Sequence, residues 1–158
     1  MLFRSLELGF LRAAPAFGAV FIALIIAYIP QKKNAGRNLF ISIAGFGIAT
    51  IFFAISENYY LSLFLLFLTG AFDNVSVVIR HTILQLSTPD NMRGRVSAVN
   101  SIFIGSSNEI GSFESGVAAR ALGLKTSVVF GGVMTLLIVL LTAKIAPKLR
   151  TLNMKNIE

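Results

Sequence analysis

Long apolar blocks alternate along this chain with short polar ones, and a helix of about 20 apolar residues is what crosses a bilayer core. Four blocks meet that length: residues 13–29 (AAPAFGAVFIALIIAYI), 39–56 (LFISIAGFGIATIFFAIS), 59–86 (opening YYLSLFLLFLTGAF) and 127–146 (SVVFGGVMTLLIVLLTAKIA). A fifth stretch, 96–118, is long enough but carries Asn100, Asn108, Glu109 and Glu114. A charge at the bilayer centre costs about 2.5–3.5 kcal/mol on insertion scales, so this stretch must face other helices or water.

The distribution of charge supports a fifth crossing. Lys32, Lys33, Arg37, Arg93, Arg95, Lys148, Arg150 and Lys155 fall in the linkers after the first and third blocks and in the tail. The N-terminal flank and the other two linkers hold only Arg4, Arg12, Arg120 and Lys125. Basic residues collect on the cytoplasmic side, and these groups alternate sides only if 96–118 crosses. The expected architecture is all-α: one polytopic membrane domain of five helices over residues 1–158, N-terminus outside and C-terminus inside.

Composition agrees with a membrane protein and narrows the chemistry. Only 13% of residues are charged, against about 25% in ordinary soluble domains. With no cysteine and one histidine, His81, neither a disulfide framework nor a cysteine or histidine metal site is expected, and no cofactor is implied. The net charge of +7 would suggest nucleic acid in a soluble protein, but no aromatic residues are interleaved with the basic ones as strand binding requires. The partner expected is the lipid bilayer, with no nucleic acid. Arg4, Arg12 and the first apolar block resemble a signal peptide, yet the block ends in Tyr28-Ile29-Pro30-Gln31-Lys32-Lys33 with no small-residue cleavage site. It reads as a true span.

Polar residues inside the spans are the candidate chemistry. Asp73 and Arg80 are seven residues apart, on one helix face but separated by about 10 Å of rise, so each needs a partner elsewhere. An intramembrane carboxylate is a functional candidate, though Asp73 could equally be hydrogen-bonded packing; Arg80 is close enough to the helix end to snorkel. Asn100, Asn108 and Glu109 are candidates for a polar pathway, and a proton bound by Asp73 or Glu109 would couple transport to a gradient. Glu109 and Glu114 point about 140° apart, so they are not an acid/base couple. Ser107, Gly111 and Ser115 share a face at four-residue spacing, a pattern that lets helices approach closely. His81 reads as interfacial. No phosphate loop, metal-ligand spacing or catalytic triad is present, and an enzyme is not expected.

Between the third and fourth spans lies STPDNMRGR. Ser87 or Thr88 is expected to cap a helix whose first turn is Pro89-Asp90-Asn91. Asp90 suits that positive helix end. Arg93 and Arg95, like Arg37, read either as topology determinants or as a charged cytoplasmic latch between helix ends.

The blocks DNVSVVIR, RGRVSAVN and GSSNEIG, with LGFLRAAPAFGAV near the start and SVVFGGV opening the last span, resemble the C-terminal half of major facilitator superfamily transporters, in particular the enterobactin-exporter-like bacterial group. The resemblance implies helices eight to twelve of a twelve-helix transporter, with QKKNAGR between eight and nine. It further implies proton-coupled efflux of a small amphiphilic solute, a siderophore or drug, across the inner membrane by alternating access. Asp73, Arg80, Asn108 and Glu109 would then be pathway residues and Arg93 and Arg95 latch residues. Such a transporter binds substrate between two six-helix halves, so a partner supplying the missing N-terminal helices, from the same gene or a separate chain, is expected. The alternative reading is a truncated, non-transporting remnant or an accessory subunit that packs against other helices.

Overall fold

The computed structural model describes residues 2–28 and 35–145, with side chains from residue 6 onward. Lys32, Lys33, Lys148, Arg150 and Lys155, which carry much of the charge asymmetry, lie outside the described residues, as do the span ends at Ile29 and Ala146. The described chain is five α-helices and one short 3-10 turn: α1 (Leu2–Tyr28), α2 (Ala35–Ile55), α3 (Tyr59–Leu86), the turn Asp90–Met92, α4 (Arg93–Leu122) and α5 (Leu124–Ile145). The third block matches its helix end to end. The others gain residues at their starts, most of all α1, which begins eleven residues before the apolar run does.

Four helices, α1, α2, α3 and α5, are long and apolar enough to cross a membrane. Several of their embedded hydroxyls are satisfied without water by bonding back to a carbonyl of their own helix. Ser42 Oγ donates to the Asn38 carbonyl at 2.8 Å, Thr50 Oγ1 to Phe46 at 2.8 Å and Thr142 Oγ1 to Ile138 at 2.7 Å. α4 is too polar to qualify by composition, yet its 30 residues would extend about 45 Å, more than a bilayer core of about 30 Å.

Helix direction explains what α4 does. Tyr59 Oη at the start of α3 donates to the Glu7 carbonyl of α1 at 3.3 Å, and Ile22 and Ile26 pack beside Val75, Ile79 and Ile83. So α1 and α3 run parallel. Ala35, at the start of α2, sits in that same cluster, whereas Gly45 meets the Phe72 ring, so α2 runs antiparallel to α3. Gly47 meets Gly132 and Leu136, and Ile51 meets Gly132, so α5 also runs antiparallel to α2. With α3 and α5 aligned, the chain must return from the end of one to the start of the other. α4 makes that return.

The tight contacts are made by glycines. A Cβ on Gly18 would collide with the Phe67 carbonyl, and one on Gly70 with the Pro15 carbonyl, so α1 and α3 touch backbone to backbone. A Cβ on Gly132 would lie 3.0 Å from the Gly47 carbonyl, which holds α2 and α5 almost as close. α3 is the hub, packed on α1 and α2, while α2 also carries α5. α4 packs mainly on α5 and, among the described residues, buries none of its own.

Candidate functional site

Because α4 leaves α3 after the connecting turn, a cleft opens between them. Its walls are one face of each helix. Asp73, Val77, Arg80, His81 and Leu84 recur at the helical period on α3; Asn100, Phe103, Ile104, Ser107 and Asn108 do so on α4. The cavity they line is about 530 Å³, within the range of small-molecule sites. A smaller cavity of about 220 Å³ lies against it, bounded by Asp73, Ser76 and Arg80 together with Thr135 of α5. Asp73 and Arg80 border both.

The two charged residues do not pair with each other, as their spacing predicts. Arg80 Nε donates to the Ser76 carbonyl of its own helix at 3.3 Å. Asp73 has no ion pair or hydrogen bond among the described residues, and both side chains are exposed to the open space. The cavity therefore offers a guanidinium, a carboxylate, two carboxamides, an imidazole and a phenyl ring. That set suits an amphiphile with polar groups on one side and an apolar body.

Four sequence candidates, Asp73, Arg80, Asn100 and Asn108, are brought together here. Glu109 does not line this cavity; it follows Asn108 by one residue and so points about 100° away. Ser107, assigned to helix packing, lines the cavity instead. The expected packing face is not closed within the described chain. A Cβ on Gly111 would meet nothing within 4 Å, and Ser115 borders a separate opening of about 350 Å³ with Thr50 and Gly131. Ser107 thus faces α3 across the cleft and Ser115 faces α2 and α5 across this opening. Asn74, beside Asp73, is not a lining residue, and its side-chain oxygen is buried without a partner among the described residues.

His81 and Phe103 in the main cavity, and Thr135 beside it, were not singled out from the sequence as site residues. His81 and Phe103 follow from helical phase once Asp73 and Asn100 are placed, since they lie eight and three residues away. Thr135 carries no such signal, because only the fold places α5 next to Asp73.

The connecting turn departs from its expected form. Thr88 Oγ1 donates backwards to the Leu84 carbonyl at 2.6 Å, and the Ser87 amide bonds Ile83 at 2.9 Å, so these residues close α3 rather than cap α4. Pro89 precedes a single 3-10 turn, and α4 starts at Arg93 without a side-chain cap. Arg93 pairs with Asp90 at 2.8 Å and its Nε donates to the Thr88 carbonyl at 3.4 Å. The pair is largely exposed, at 52% and 86%, so it contributes little stability. Arg93 is thus engaged within its own turn. Arg37 and Arg95 are exposed. Among the described residues no group of three or more acidic, histidine or cysteine side chains could hold a metal.

Comparison with known proteins follows the same lines. The sequence profile of the Major Facilitator Superfamily matches residues 3–156. Enterobactin exporters of Salmonella typhi and Escherichia coli O1:K1 / APEC are each 30% identical to the chain over 93 residues. That of Shigella boydii serotype 18 is 31% identical over the same length. Each match covers 59% of this chain and 22% of the relative, so the chain corresponds to a small part of these relatives. No solved structure matches it. A bundle of apolar helices matched to this profile over nearly its whole length is an integral membrane protein, and the chain belongs to the Major Facilitator Superfamily.

Proposed function

We propose that the chain is the C-terminal portion of an efflux transporter of the inner membrane, in which the cleft between α3 and α4 forms part of the solute pathway. The observation that carries this reading is the convergence of Asp73, Arg80, Asn100 and Asn108 on one cavity, with Asp73 and Asn108 at mid-helix. Polar and charged groups at that depth are costly unless they face a pathway or each other, and these do not pair. The solute is a small amphiphile, and the enterobactin-exporter relatives favour a siderophore. Asp73 is positioned to carry the coupled proton, and Arg80 to hold a polar group of the solute. The remaining helices come from polypeptide beyond this chain, since alternating access needs two halves that rock about the site. The N-terminus lies outside and the C-terminus in the cytoplasm.

The test is flux in proteoliposomes. The chain alone should move no siderophore; joined to N-terminal helices of the family, it should export one against a proton gradient. In that assembly Asp73→Asn should abolish the response to the gradient. Arg80→Gln should lower flux by about tenfold, the scale of one charge-assisted hydrogen bond. Undiminished, gradient-driven flux in both variants would contradict the proposal.

A further inference from the structure

A further cavity lies on the far side of α3 from Asp73. We propose that it binds one acyl chain of an anionic phospholipid, with the headgroup against Arg37. The groove runs between α1 and α2 over a floor of α3 and has a volume of about 310 Å³. Phe21 and Ile22 line one wall, Ile41 the other, and Phe67, Leu68 and Phe72 the floor. Its polar lining is confined to Asn38 and Ser42, and the Ser42 hydroxyl already donates to the Asn38 carbonyl at 2.8 Å. An ordered water needs two to four polar partners, so the groove is unsuited to water and suited to hydrocarbon. Because α1, α2 and α3 are each apolar enough to cross a membrane, the hydrocarbon beside it is lipid.

Charge selects the kind of lipid. Arg37 lies one helical turn before Ile41 and so on the same face of α2, at the end of the groove that Asn38 marks. Its side chain is exposed. Lys32 and Lys33 precede it in the sequence, and no acidic residue occurs from 29 to 56. A basic cluster at the membrane surface attracts anionic headgroups, and a tail from the same molecule can enter the groove. A zwitterionic lipid has the tail but not the charge.

The test uses the chain purified from vesicles containing equal phosphatidylglycerol and phosphatidylcholine, with the retained lipid counted by native mass spectrometry. Phosphatidylglycerol should be retained about fivefold over phosphatidylcholine, the preference one basic residue confers. Arg37→Gln should bring the two close to parity. Ile41→Trp, which fills the groove, should reduce retention of both; if it loses helicity by circular dichroism, Phe21→Trp on the opposite wall replaces it. Equal retention in the parent chain, or parental behaviour in either the charge or the filling variant, overturns the proposal.

Discussion

At the residue scale, the informative comparison is between glycines that look alike in the sequence. Gly70 and Gly111 both sit in the middle of long helices. A Cβ at Gly70 meets the Pro15 backbone, which cannot step aside, whereas one at Gly111 meets open space. Gly70→Leu should therefore destabilise the bundle by ~1–3 kcal/mol or more through overpacking. Gly111→Leu should be neutral, or stabilising by up to ~1 kcal/mol, because glycine is a poor helix former. Loss of helicity against SDS, followed by circular dichroism in detergent, distinguishes the two. Equal sensitivity would mean that α1 and α3 do not make the close contact described. Small residues at four-residue spacing say that approach is allowed, not which neighbour makes it, and among the described residues none approaches Gly111. Gly18, Gly47, Gly70 and Gly132 earn their contacts from helices distant in sequence.

At the element scale, α4 shows how far periodicity reaches and where it stops. The four apolar spans were legible because each is a nearly continuous hydrophobic run, and their helices differ from those runs mainly at the ends. α4 was legible only through charge alternation in the linkers, and the antiparallel order of α2 against both α3 and α5 supports the same crossing. Its start was not legible: a Ser-Thr-Pro-Asp string suits a capped helix, but Thr88 satisfies the preceding helix instead. Its end turns on Gly123, whose φ of 84° and lack of neighbours mark a conformational requirement rather than a packing one. Gly123→Ala should cost ~1 kcal/mol or more by strain in this left-handed region. In the same SDS titration, a variant as stable as the parent would show that the α4–α5 corner is not held in that conformation.

At the scale of the whole molecule, the proposed function rests on one open face. Asp73 and Arg80 were legible as costly charges inside an apolar run, and Asn100 and Asn108 as amides in a doubtful one. Their meeting across a cleft was not, because it depends on α4 leaving α3 and leaning on α5. The opposite face of α4 presents Ile102 and Phe113, which are 70% and 75% exposed. The central claim is therefore that α4 spans the membrane with an aqueous face toward α3 and the face of Ile102 and Phe113 turned away from it. The chain contains no cysteine, so single cysteines can be placed on an unlabelled background and challenged with a membrane-impermeant maleimide in intact vesicles. Cysteine at Asn100, Ser107 or Asn108 should react. Cysteine at Ile102 or Phe113 should stay protected by lipid or by neighbouring helices. Uniform labelling along α4, with no dependence on helical phase, would contradict the account.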